Sequence, residues 1–161
     1  MTVREYNQCV DKYADGVFRF VLKNIKDSDI SNDIVQDSFL KLWKHADKVS
    51  YEKARSYLFT TAYHTLIDYT RKHKFESPGS GIAESANTVD HGYSDLKEIL
   101  DEALSRLPEI QKAVVLLRDY EGYAYKEIAG ITGLNETQVK VYIYRARTSL
   151  KNYIVSLDQV I

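Results

Sequence analysis

At 161 residues, 44% apolar and 12% aromatic, the chain can bury a core as one medium domain or two small helical ones, which excludes wholesale disorder. A net charge of −1 argues against strong, sequence-indifferent affinity for nucleic acid, so a DNA-binding role would need help from a partner. The single Cys9 excludes an internal disulfide and suits a reducing compartment, and no run approaches 18 uninterrupted apolar residues, so a soluble cytoplasmic protein is expected.

Apolar positions at Val10, Tyr13, Ala14, Val17, Phe18 and Val21 predict a first amphipathic helix from Val3 to Asn24. Ile34, Val35, Ser38, Phe39, Leu42 and Trp43 predict a second from Ser31 to His45, with Ser31 as N-cap and Asp33 favourable in the first turn. Phe39 and Trp43, four residues apart, read as core packing. A third, long helix spans Lys53 to Lys74, with Leu58, Ala62, Leu66 and Tyr69 as its buried stripe. Residues 76–95 (ESPGSGIAESANTVDHGYSD) lack periodicity and are rich in Ser, Gly and acids, which reads as a flexible linker. Two further helices, Leu96 to Leu107 and Glu109 to Asp119, form a hairpin broken at Pro108, a good first helical residue.

The stretch YKEIAGITGLNETQVKVYIYRAR, Tyr125 to Arg147, has the pattern of a helix-turn-helix. A short helix presents Ile128 and Ala129 to a core, Gly133 allows the turn, Leu134 plugs back, and Asn135 caps the next helix. Val139, Ile143 and Ala146 make its buried stripe. Thr137, Gln138, Lys140, Val141, Tyr144, Arg145 and Arg147 occupy the other faces, where they can reach phosphates and base edges in a major groove. No β pattern of useful length appears, so the chain is expected to be all-α.

The average charge hides a segregation. Residues 1–75 hold 13 Lys/Arg against 10 Asp/Glu, residues 76–95 hold four acids and no Lys or Arg, and residues 96–161 hold nine of each. Screening over about 8–10 Å decouples such patches, so the basic helix at the C-terminal end keeps its local field. There is no P-loop, no Gly-rich dinucleotide turn and no Cys/His metal spacing. Neither a cofactor, a metal nor a catalytic site is expected.

Three segments, in order, resemble the extracytoplasmic-function (ECF) group of bacterial sigma factors in the sigma-70 family. SNDIVQDSFLKLW, residues 31–43, resembles that group's polymerase-clamp-binding helix. ARSYLFTTAYHTLIDYTRKH, residues 54–73, resembles its promoter-melting and −10-reading segment, and residues 100–147 resemble the region that reads the −35 element. The resemblance implies residues 1–75 as sigma region 2, a helical bundle, 76–95 as an acidic linker, and 96–161 as region 4. It implies a non-enzymatic initiation factor that binds core RNA polymerase through the β′ clamp and the β subunit. Such a factor directs core enzyme to promoter DNA and promotes melting. A membrane-linked anti-sigma protein is a further implied partner.

Carried onto this sequence, the resemblance assigns core-polymerase binding to Asp33, Gln36 and Asp37, an acidic and amide edge at helical spacing. It assigns −10 recognition and melting to Arg55, Tyr57, Tyr63, His64, Arg71 and Lys72. Aromatics interleaved with bases suit an unstacked strand, since a base leaving the stack needs a new π-surface. This chain has His64 where the group often has Asn, and Tyr57 where it often has Trp. The −35 contacts fall on Thr137, Gln138, Lys140, Val141, Tyr144, Arg145 and Arg147, with Lys140 and Val141 at base edges and Arg145 and Arg147 on phosphates. The linker's 20 residues span at most about 66–72 Å extended, close to the roughly 70 Å between elements two duplex turns apart. A stand-alone helix-turn-helix regulator is the alternative reading.

Overall fold

The computed structural model describes residues 1–76 and 93–158, and every described element is helical. The helices are α1 (Val3–Ile25), α2 (Ser28–Lys44), α3 (Ala54–Glu76), α4 (Tyr93–Ser105), α5 (Glu109–Val115), α6 (Tyr125–Thr132) and α7 (Glu136–Asp158). They fall into two compact units, the first holding α1 to α3 and the second holding α4, α5, α7 and most of α6. The expected linker lies outside the described residues except at its ends, where Glu76 closes α3 and Tyr93 to Asp95 open α4.

In the first unit, α1 starts on a capping box. The Thr2 hydroxyl accepts from the Glu5 amide at 3.1 Å, and the Thr2 amide donates to the Glu5 carboxylate at 2.9 Å. The helix stops where Lys26 turns left-handed (φ 57°) and its amide closes on the Leu22 carbonyl. α2 begins three residues earlier than expected. Asp27, not Ser31, is its N-cap, accepting from the Ile30 amide at 3.0 Å. Ser31 is buried inside the helix, and its hydroxyl donates back to the Asp27 carbonyl at 2.6 Å. A 3₁₀ turn, Tyr51–Lys53, leads into α3.

All three helices of this unit pack on one another. Their core is Cys9, Val17, Phe20 and Val21 from α1, Ile34, Phe39 and Leu42 from α2, and Leu58, Phe59, Ala62 and Leu66 from α3. Phe20 and Phe59 meet with ring centroids 5.6 Å apart. Each fully buried Leu, Val or Phe contributes roughly 1.5–3 kcal/mol, so this cluster supplies the unit's cohesion. Tyr69 is only half-buried and stacks on His73 instead of joining the core.

In the second unit, α4 and α5 pack on α7. Pro108 is the residue before α5, not its first helical one, with extended ψ of 147°. The predicted α-helix to Asp119 changes type on the way. It is α-helical only to Val115 and then makes one π turn, Leu116–Tyr120, closed by the Glu121 amide on the Leu116 carbonyl at 3.0 Å. Gly122 (φ 77°) ends it. Gly133 (φ 80°) makes the sharp turn before α7, a conformation a side chain would strain. Val139, Ile143 and Ala146 are buried as expected, and Ile128 and Ile131 are buried in α6, while Ala129 and Leu134 are half-buried.

Candidate partner and nucleic-acid interfaces

On α2, Asp33 and Gln36 are exposed, and Asp37 is partly so, its carboxylate 3.0 Å from Lys41 Nζ one turn on. Beside this edge α1 and α2 leave an open groove of about 430 Å³ lined by Tyr6, Val10, Ala14, Val35, Gln36, Phe39 and Leu40. Leu40 and Trp43 continue the apolar surface at 50% and 48% exposure. Trp43 is therefore not the core residue its spacing suggests, whereas Phe39 is buried. The indole leans on the Tyr6 ring at 5.0 Å, and the Tyr6 hydroxyl donates to the Phe39 carbonyl at 3.0 Å. Acidic, amide and apolar groups thus share one face. Such a face suits a protein partner better than a polyanion.

On α3 the six candidate residues are not equivalent. His64, Arg71 and Lys72 are exposed. Arg55 is half-buried with its guanidinium 5.5 Å from the Phe59 ring centroid. The Tyr57 hydroxyl lies 3.3 Å from His45 Nδ1 and 3.5 Å from the Lys41 carbonyl, which ties α3 to the C-terminal end of α2. Tyr63 is 7% exposed. Its ring is buried, with the exposed His64 ring 5.8 Å away, so His64, not Tyr63, offers a surface for stacking.

α7 is set by its cap. The Asn135 side chain accepts from the Gln138 amide at 2.8 Å, and the Asn135 amide donates to the Gln138 side-chain oxygen at 3.0 Å. Gln138, expected on DNA, therefore also closes the helix N-terminus. Thr137, Lys140, Val141, Tyr144, Arg145 and Arg147 are all exposed, Tyr144 at 71%. Lys140 Nζ sits 5.6 Å from the Tyr125 ring centroid, and the Arg118 guanidinium lies 4.4 Å from the same ring. Arg118 also donates to the Tyr123 carbonyl at 3.0 Å.

Arg147 does not point freely outward. Its Nε donates to Asp119 Oδ2 at 3.0 Å and its Nη2 donates to Oδ1, a two-pronged pair across 28 residues of chain. That hydrogen bond, before any other cause, raises the guanidinium above its ordinary pKa. Sequence reasoning passed over Asp119 and Tyr125, because neither lies at helical spacing from the residues it holds.

Among the described residues no group of three His, Cys, Asp or Glu side chains is placed to hold a metal ion, and no helix is long and apolar enough to cross a membrane.

Known proteins fit this geometry closely. The family profile described as Sigma-70 region 2 matches residues 9–76, and that described as Sigma-70, region 4 matches residues 97–150. The chain is 31% identical over 157 residues to the ECF RNA polymerase sigma factor SigM of Bacillus subtilis, covering 94% of each. It is 33% identical over 154 residues to the RNA polymerase sigma factor SigV of the same organism, covering 93% of this chain and 91% of that one. Among solved structures, the sigma factor RpoE in complex with the anti-sigma factor NepR from Bartonella quintana superposes with a TM-score of 0.77 at 22% identity, over 94% of this chain and 98% of that one. CnrH in complex with the cytosolic domain of CnrY gives 0.73 at 20% identity, over 96% and 90%. These two likenesses concern the fold.

Proposed function

This chain belongs to the sigma-70 family of RNA polymerase sigma factors, in its ECF group, and on that premise we propose how its residues divide the work. It is an alternative sigma factor: it binds core RNA polymerase, directs it to promoters through −10 and −35 elements, and promotes melting. The observation that carries this is the presence of both sigma regions in order on one chain. A stand-alone helix-turn-helix regulator would account for the second region alone and leaves the first unexplained.

Residues 1–75 act as region 2, 76–95 as the linker and 96–161 as region 4. Asp33, Gln36 and Asp37 meet the polymerase β′ clamp, with the α1/α2 groove, Leu40 and Trp43 extending that contact by apolar burial. His64, Arg71 and Lys72 serve the melted strand directly. Arg55 and Tyr57 shape the same helix from its N-terminal end. Tyr63 supports the same helix from within the core. In region 4, Lys140, Val141 and Tyr144 read the −35 element, while Thr137, Gln138 and Arg145 line the phosphates.

The factor carries no chemistry of its own, since nucleotide addition belongs to the polymerase, and it acts in the cytoplasm. A membrane-linked anti-sigma protein is its regulator, in keeping with the anti-sigma complex of one structural relative. Run-off transcription with purified core enzyme, using promoters recovered from a randomised duplex pool, tests the whole reading. Transcripts that start at defined positions only when the chain is present are expected. Core enzyme that recovers no promoter with this chain would overturn it.

A further inference from the structure

The pair between Asp119 and Arg147 bears on how the −35 element is read. Arg147 lies seven residues beyond Lys140 and three beyond Tyr144, on the same face of α7, so by spacing alone it reads as one more phosphate ligand. The geometry does not leave it that role. A guanidinium has five donors in a rigid fork. Here Nε and Nη2 both go to the Asp119 carboxylate. The carboxylate cancels the cation locally. What remains for a phosphate is a nearly neutral pair.

The pair is also placed where orientation matters. Asp119 sits in the π turn Leu116–Tyr120, where the extra residue per turn changes which side chains face α7. Tyr125, at the start of α6, is the ring beside which Lys140 lies. The Asp119–Arg147 pair therefore fastens α7, the helix that carries Lys140, to the element before the helix-turn-helix. Recognition by a helix requires its side chains to be held within a fraction of an ångström by supporting contacts of this kind.

We propose that Arg147 is a positioning residue for −35 recognition, locked by Asp119 so that α7 presents Lys140 at a fixed angle, and is not a ligand of the DNA backbone. The inference rests on the sigma-factor reading, and the test separates the two. Holoenzyme is assembled from core polymerase and the full chain, and a duplex is first recovered by the wild type from a randomised pool. Recovery of no duplex sinks the sigma reading itself.

On that duplex, binding is measured across a salt series and across single base changes in the −35 element for Arg147→Lys, Arg147→Gln and Asp119→Asn. Lysine keeps the charge but not the fork. A positioning role predicts that all three variants lose about threefold to tenfold in affinity and flatten the base preference. The slope of log K against log salt stays at the wild-type value. The inference is overturned if Arg147→Lys binds as the wild type does while Arg147→Gln shallows the slope by about 0.9, the signature of one lost phosphate contact. It is equally overturned if the variants only lower the melting temperature and keep the wild-type base preference. Because the two positions are changed separately, one variant that fails to fold leaves the other to decide.

Discussion

The Tyr6 ring in α1 meets the indole of Trp43 in α2 edge-on, with centroids 5.0 Å apart and planes 65° apart, while Trp43 stays 48% exposed. Edge-to-face pairs of this kind add about 0.5–1.5 kcal/mol beyond area burial. Tyr6 thus holds the indole steady at the rim of the apolar groove. An exposed, immobilised aromatic beside acidic and amide side chains is the composition of an interface. Trp43 is the chain's only tryptophan. With 5-fluorotryptophan incorporated, its ¹⁹F resonance should shift and broaden when core polymerase binds. An unchanged resonance in an otherwise formed holoenzyme would place the contact elsewhere.

Asp37→Arg should weaken core binding about tenfold or more, since an acidic edge fits a basic partner surface and like charges brought together at an interface cost several kcal/mol. The fold should survive. Asp37 is nearly half-exposed and its bond to Lys41 is an i,i+4 pair, a type worth only about 0.3–0.5 kcal/mol. Competition with the wild-type chain for core enzyme measures the first effect and thermal denaturation the second. Wild-type competition by the variant would remove Asp37 from the contact.

Tyr63 and His64 are neighbours in sequence with opposite environments, and substitution should separate them. Tyr63→Ala removes a buried ring from the first unit's core and should cost about 3–5 kcal/mol in urea unfolding. His64→Ala lies on the surface and should change stability by less than about 0.5 kcal/mol. It should instead shorten the life of the melted complex, by the about 1–3 kcal/mol that one base–ring stack contributes. Open-complex lifetimes that respond to Tyr63→Phe more than to His64→Ala would show that the buried ring comes out on DNA.

These contrasts mark which features the residues announce and which they do not. Asn135, Gly133 and the Val139–Ile143–Ala146 stripe are local signals, and each is found where its chemistry places it. Ser31 misled because two cap candidates lie within one turn. Asp27 takes the role, and the hydroxyl at Ser31 satisfies itself inside the helix. Trp43 misled because apolar spacing marks a face without saying whether another element covers it. The π turn at Leu116–Tyr120 is invisible because nothing in the residue types of LLRDY separates a π turn from an α-helical one. The Asp119–Arg147 pair spans 28 residues and leaves no periodic trace.

Cys9 offers a pH test. It is fully buried, and burial first, with the nearby Glu5 charge second, pushes its thiol above the ordinary value of 9.0. A group whose folded pKa is raised holds its proton more tightly in the folded state. Its contribution to stability is whole below the unfolded pKa and is lost as pH rises through the folded one. Urea midpoints should therefore fall as pH is raised above about 9, and Cys9→Ala should flatten part of that decline. Tyr6 and Tyr120, raised chiefly by burial, add to the decline at higher pH. Iodoacetamide should label Cys9 at neutral pH only as fast as the first unit opens. Rapid labelling of the native chain would contradict the burial.

Lys140 is the residue on which −35 specificity should chiefly depend. It is exposed on α7, one turn from the Asn135 cap, and flanked by the Tyr125 ring. A lysine so placed donates well to guanine O6 and N7, whereas its neighbour Val141 meets only a thymine methyl. Lys140→Ala should reduce discrimination at one base pair by about 1–3 kcal/mol and leave the remaining positions of the element as they were. Tyr125→Leu removes the π-face but leaves Lys140 its charge, so it should blur the same base pair to a smaller degree. An equal loss on every sequence, with a shallower salt dependence, would instead make Lys140 a phosphate contact and transfer base reading to Val141 and Tyr144. Binding to a −35 series at two salt concentrations distinguishes these outcomes, because a base contact acts on one position while a phosphate contact acts on all.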